Sequence, residues 1–237
     1  MPFTEQQRDQ LMSYLGYGNV NGSTWYIGME EAGGGLANLR ARLKFKVVED
    51  LRTAHLELLS IPMHHKPPYK LQNTWRRMCE LQLMLESGNP LPTPPIDERR
   101  QYQARRLGRL GAANEVGEPN ETLLLELMPI PKPNFRAWSP EYEQLFGWTR
   151  AEYYAQMGRR QQLLGTLVAK HKPTSVVCYG AAHWAAYRAI FPGRTFVPAG
   201  SGVEISRGHP VIVLTHHFAS RGMNGGMGPV AALLLNP

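Results

Sequence analysis

Four short apolar runs punctuate this chain, each closed by a polar or glycine-bearing turn. "STWYIGM", "TLLLELM", "SVVCYG" and "VIVLTHH" lack the alternation of a half-solvated strand. Runs of this length and composition predict strands buried on both faces. Between them, apolar residues recur at helical spacing. "FTEQQRDQLMSYLG" places Thr4 and Gln7 as a capping box and predicts a helix that stops at Gly16. Leu36 to Leu59 is largely helical by spacing, and "IPMHHKPPYKL" is a proline loop ahead of the helix "QNTWRRMCELQLML". "GNPLPTPP" is a rigid connector into the arginine-rich helix "DERRQYQARRLGRLG". Thr149 and Glu152 cap a helix predicted to run to about His171, and "GAAHWAAYRAIF" reads as a Gly turn followed by a helix.

Strands alternating with helices predict an α/β fold: a three-layer α/β/α sandwich around a central four-stranded, mainly parallel sheet, in a single domain spanning 1–237. Loops at the carboxyl ends of such strands hold the site. Here these are "EEAGGG", "PIPKPN", "GAAHW" and "HHFASRGMN". The hydrophobic fraction of 43% supports a sizeable core. Without a signal pattern or an apolar run of membrane length, a soluble cytoplasmic protein is expected, with no membrane partner. Two cysteines, Cys79 and Cys178, are too few for a four-thiolate cluster. The net charge of +7 points to nucleic acid as the partner. Arg99, Arg100, Arg105, Arg106 and Arg109 fit a DNA-facing surface and a solvated helix face equally well.

"GMEEAGGG" lacks the Gly-Lys-Ser/Thr ending of a phosphate loop, and its two carboxylates would repel phosphate. Glu30, Glu31, His216 and His217 could suggest a metal site. Adjacent histidines on an extended segment point to opposite sides, however, so the pair makes a weak metal site. No metal or cofactor is expected, nor is an obligate protein partner.

The order of these pieces resembles the uracil-DNA glycosylase superfamily over about Trp25 to Asn224. "IGMEE" is similar to the family's first motif, Gly, any residue, then the Asp or Asn that positions the attacking water. "KPPYKLQNTW" resembles the proline loop that grips DNA phosphates. "TLLLELMPIP" resembles the strand that presents an Asn to the base. "VLTHHFAS" resembles the second motif, His-Pro-Ser, before a loop that wedges into DNA. This chain departs from the family in having Glu for Asp or Asn, and no Pro-Ser after either histidine.

The resemblance implies a monofunctional DNA glycosylase that flips out a pyrimidine base and hydrolyses its bond to the sugar. Glu30 or Glu31 would stabilise the cationic sugar and orient water. His217, with His216 in reserve, would donate to the leaving base. Gly28, Met29, Ala32, Gly33 and Glu126 would surround the base. Lys66, Pro67, Pro68, Tyr69, Lys132, Gly180, Ser220, Arg221 and Met223 would contact DNA, with Arg221 or Met223 as the wedge; alternatively, Met223 packs on the sheet.

Two positions speak about the substrate. Glu126 stands where the family presents Asn; an ionised carboxylate there accepts from the exocyclic amine of cytosine, whereas a protonated one also donates. Alternatively, Glu126 faces solvent or pairs with Lys132. Ala32, Gly33, Gly34 and Gly35 leave room beside pyrimidine carbon five. Excision of unmodified cytosine would destroy the host genome, so a carbon-five-modified cytosine in foreign (phage) DNA, and a role in antiviral defence, are expected. A repair enzyme for uracil or a damaged base, and a non-catalytic nucleic-acid-binding module, are the alternatives.

Overall fold

A computed structural model describes residues 1–114, 117–134, 136–200, 202–223 and 225–236; Asn224 of the expected wedge loop lies outside them. Its strands are β1 (Gly16–Gly18), β2 (Thr24–Gly28), β3 (Val48–Glu49), β4 (Thr122–Glu126), β5 (Ser175–Tyr179), β6 (Val197–Pro198), β7 (Val203–Ser206) and β8 (Val211–Thr215). The helices are α1 (Glu5–Ser13), α2 (Leu36–Arg42), α3 (Leu51–Thr53), α4 (Asn73–Ser87), α5 (Ile96–Arg105), α6 (Pro140–Phe146), α7 (Arg150–Ala155), α8 (Met157–His171), α9 (Trp184–Arg188) and α10 (Gly228–Leu235).

All the strands join one sheet in the order β3-β1-β4-β2-β5-β8-β7-β6. The middle four are the four apolar runs, and they pair in parallel. The expectation of four strands is corrected to eight among the described residues. On one flank β1 runs antiparallel to β4 and carries β3; on the other β7 runs antiparallel to β8 and carries β6. These outer strands, "GYG", "VE", "VP" and "VEIS", are too short and too rich in glycine, proline or charge to give a strand pattern.

Each central strand sends alternate residues into two separate cores. Trp25, Ile27, Leu123, Leu125, Val176 and Cys178 pack with residues of α1, α6, α7, α8 and α9. Tyr26, Leu124, Val177 and Val213 pack with residues of α4, α5 and α10. Helices therefore cover both faces, giving three layers. No helix among the described residues is long and apolar enough to cross a membrane.

Local signals hold at the helix starts. The capping boxes of Thr4 with Gln7 and of Thr149 with Glu152 both form. The long helix expected after Thr149 divides at Gln156 into α7 and α8. The helix expected over Leu36 to Leu59 is also interrupted. It stops at Arg42, the chain leaves to pair Val48 and Glu49 with Gly16 and Tyr17, and helix resumes at Leu51. Pairing with β1 outweighs helical spacing there.

Four of the five arginines of the arginine-rich segment carry ion-pair partners, and Arg105 is exposed. Arg99, Arg100, Arg106 and Arg109 are ion-paired to Glu80, Asp97, Glu86 and Asp50. A different arginine fixes the end of β4. Arg160, buried, donates to the carbonyls of Met12, Glu126 and Leu127 at 3.1, 2.9 and 3.1 Å. Replacing it by Met orphans three enclosed acceptors, each costing about 1–3 kcal/mol. Urea unfolding of Arg160→Met is expected to show a loss of at least about 3 kcal/mol; a loss below about 1 kcal/mol would show that the carbonyls find other donors.

Candidate active site

The chain leaves β2 toward β4 on one side, while β5, on the other side of β2, passes outward to β8. Adjacent strand ends whose connections diverge leave a crevice between them. A cleft of about 430 Å³ opens there, lined by Tyr17, Glu30, Glu31, Glu126, Tyr179 and His217 among others. A hollow of about 150 Å³ shares Glu30, Glu31, Tyr179 and His217 and adds Lys132 and His183. Two larger hollows lie elsewhere, one at the amino ends of the central strands and one between α1 and α8, and neither holds a candidate catalytic or base-binding residue.

Gly28 sets the floor. It pairs with Glu126 across the β2–β4 ladder. A methyl group on Gly28 would sit 2.4 Å from both Glu126 Oε2 and the Tyr179 hydroxyl. Its absence lets the two side chains meet over β2, where the hydroxyl donates to Glu126 Oε1 at 3.3 Å. Oε2 is cut off from solvent and has no protein partner. Burial, reinforced by the negative charge of Glu31, raises the Glu126 pKa well above the usual carboxylate value. The raised pKa favours the neutral acid, both donor and acceptor, over the acceptor-only carboxylate.

The two carboxylates after β2 are held differently. Glu31 pairs with the buried Arg42 at 2.7 Å, and the Tyr17 hydroxyl lies 3.3 and 3.2 Å from its two oxygens. Among the described residues Glu30 is bound through Oε1 alone, by the Tyr154 hydroxyl at 2.6 Å and the Lys132 ammonium at 3.1 Å. Desolvation raises its pKa, against the opposing effect of those two donors. Glu31 is thus a fully engaged structural charge. Glu30 keeps one oxygen for chemistry.

The histidines also separate. The Ala219 N–H donates to His217 Nδ1 at 3.2 Å, which assigns the proton of the neutral ring to Nε2. His217 is exposed, yet partial desolvation lowers its pKa and so favours that neutral form. His217 borders both hollows and meets the Tyr179 ring at 5.6 Å. His216 borders neither. A methyl group on Gly202 or Gly222 would lie 1.9 or 2.7 Å from its ring, so it is packed between two glycine backbones.

The residues expected to contact DNA divide in the same way. Lys66, Pro67 and Pro68 are exposed and Tyr69 half-buried, on a loop held from beneath by buried Gln103, which donates to the carbonyls of His64 and Lys70. Arg221 is exposed. Met223 is not a wedge: it is 5% exposed, in the core, with the Thr215 hydroxyl 3.4 Å from its sulfur. Gly180 is buried and Ser220 half-buried with its hydroxyl enclosed. Lys132 is 1% exposed and bound to Glu30, so it is neither a surface phosphate contact nor free for Glu126. Around the base position, Met29 is buried, Ala32 and Gly33 are exposed, and Gly34 packs under the Tyr142 hydroxyl.

Several site residues carry no local sequence signal. Tyr17, Arg42 and Tyr154 come from distant elements, and Tyr179 looks like a strand residue that happens to precede Gly180. The far wall of the cleft holds His55, His64 and Trp75, with ring centroids 5.2 to 6.1 Å apart. Burial drives the His55 pKa down to about 3, leaving the ring neutral. No group of three or more His, Cys, Asp or Glu side chains among the described residues could hold a metal ion. Comparison with protein-family models, curated proteins and solved structures found no match.

If Gly28 is what lets Glu126 and Tyr179 meet, Gly28→Ala must displace one of them. Overpacking of this kind costs about 1–3 kcal/mol. A thermal melt is expected to record that loss, and a structure of the variant to show the Tyr179–Glu126 hydrogen bond broken. An intact bond at wild-type stability would remove this role.

Proposed function

We propose that this protein is a DNA glycosylase of the uracil-DNA glycosylase type, acting on a pyrimidine base that carries a carbon-five substituent. The carrying observation is that three groups in different states border one cleft at the strand ends. They are a carboxylate with a free oxygen, Glu30; an imidazole with its proton on Nε2, His217; and a neutral acid, Glu126.

Each state suits one task. The bond between the base and sugar carbon one breaks with its electron pair going to the base. His217 Nε2–H faces the charge that gathers on the ring oxygen. The Glu30 carboxylate stabilises the cationic sugar and takes a proton from the water whose oxygen bonds to that carbon. Glu126 pairs with the edge of the base. The exposed proline loop and Arg221 supply contacts to the DNA backbone and stack.

The neutral state of Glu126 changes the argument about the base. Its hydroxyl donates to cytosine N3 while its carbonyl accepts from the amine, and the same acid also meets the uracil edge. Charge at Glu126 therefore does not separate the two. Gly33 and Gly35 have no atom within 4 Å of where a side chain would begin, which supports room for a carbon-five substituent on either base. A modified cytosine of foreign DNA, and hence a defence role, remains our reading. A uracil repair enzyme is the second, favoured by the same neutral acid.

Base release from oligonucleotides carrying uracil, cytosine or carbon-five-substituted cytosines, followed by mass spectrometry, tests the proposal. Release from the substituted cytosines is expected. Release from uracil alone would favour repair, and no release from any substrate would leave a binding module.

Glu30→Gln is expected to lower the excision rate by about 10²–10⁴ with DNA binding retained. His217→Ala is expected to lower it by about 10²–10³, and His216→Ala far less. Equal losses at His216 and His217 would contradict the division of the pair.

The rate should rise with pH as Glu30 ionises, then fall as Glu126 loses its proton. The raised pKa of Glu126 moves this fall to higher pH than an ordinary carboxylate would give. Glu126→Gln keeps a donor and an acceptor without a titrating proton. A pH–rate profile is expected to lose its alkaline limb in this variant while activity near neutrality survives; an unchanged limb would assign that limb to another group.

A further inference from the structure

Lys132 lies on the loop that follows β4, where its N–H donates to the Glu31 carbonyl at 3.0 Å and draws this loop against the one after β2. Its ammonium lies 4.6, 5.6 and 5.8 Å from the ring centres of Tyr154, Tyr153 and Trp138. It donates to the Tyr154 hydroxyl at 2.5 Å, and that hydroxyl donates to Glu30 Oε1 at 2.6 Å. The ammonium is itself 3.1 Å from the same oxygen. A lysine and a tyrosine from separate elements thus converge on one carboxylate oxygen.

We propose that Lys132 and Tyr154 are positioning residues for Glu30: they engage Oε1, fix the plane of the carboxylate and leave Oε2 to orient the attacking water. The assignment rests on the glycosylase reading. Aromatic rings hold the cation where water would otherwise solvate it, so its interaction is concentrated on Glu30. Among the described residues, the other charged or titrating groups facing Glu30 are Arg150 and Tyr153 from α7, Tyr142 from α6, Tyr187 from α9, Tyr179 at the end of β5, Glu31 beside it, Glu126 at the end of β4, and His183 and His217 around the smaller hollow. Lys132 is the cation in contact with the carboxylate, with Arg150 adding a weaker effect of the same sign.

Direct titration of the Glu30 carboxyl by carbon-13 NMR, assigned by its loss in Glu30→Gln, tests this without reference to activity. In Lys132→Met, which keeps the length of the side chain, the midpoint is expected to rise by roughly one to three pH units. Tyr154→Phe is expected to move it in the same direction by less, and Lys132→Arg to restore it in part. The acid limb of kcat should follow the midpoint, with activity recovered at higher pH and KM for DNA unchanged.

An unmoved midpoint in both Lys132→Met and Tyr154→Phe overturns the proposal. So does a loss of DNA affinity without a shift, which would make Lys132 a phosphate contact. A shifted midpoint in a protein that releases no base from any DNA would support the contact with Glu30 and remove the reaction.

Discussion

Parallel register is the constraint on which the site depends. Gly28 lies level with Glu126, and Tyr179 with Thr215, so four neighbouring strands end at one height. Each then releases its functional side chain within a residue or two: Glu30 and Glu31 after β2, Glu126 on β4, Tyr179 on β5 and His217 after β8. The apolar interiors that hold the strands in register are therefore also what brings these groups together. A slip of one residue in a strand would turn its side chains to the opposite core.

Three acids around one cleft would repel one another if all were charged and unpaired. The fold resolves this in three ways. Glu31 has a buried guanidinium, Glu30 shares an aromatic-lined ammonium, and burial raises the pKa of Glu126 and favours its protonated form. The division is electrostatic as much as geometric: the two charged acids discourage ionisation of the third. Removing either cation would therefore be felt at Glu126 as well as at its own partner.

Much of the central sheet was legible because its signals are local. Five-residue apolar runs, capping boxes and glycines at strand ends each announce themselves within a few positions. The outer strands did not, since a three-residue "GYG" becomes a strand only when β4 offers it an edge. Glu30, Glu31 and His217 stood out because they follow strands. Tyr154 and Arg42 did not: they reach the site from helices remote in sequence, and a tyrosine or arginine on a helix face has many other uses. Met223 was misplaced for the opposite reason, since the long apolar side chain that suits a wedge suits a core equally. Lys132 was taken for a surface group because lysine usually is one, and only its neighbours reveal otherwise.

The segment after His217 is fastened at its far end. Arg77 donates to the Met223 carbonyl at 2.7 Å, and the wholly buried Glu80 accepts both from Arg77 and from the Met227 N–H at 2.7 Å. With Met223 in the core at one side and Phe218 in it at the other, Arg221 rides on a short arch anchored at both feet. An arch of four residues between fixed points has little reach, because its contour length is only a few residue rises of about 3.3–3.6 Å. If the proposed reaction takes place on a duplex, the mechanical work of opening the stack would fall mainly on the DNA, which would have to bend toward the arch. Sequences that kink easily would meet it at lower cost.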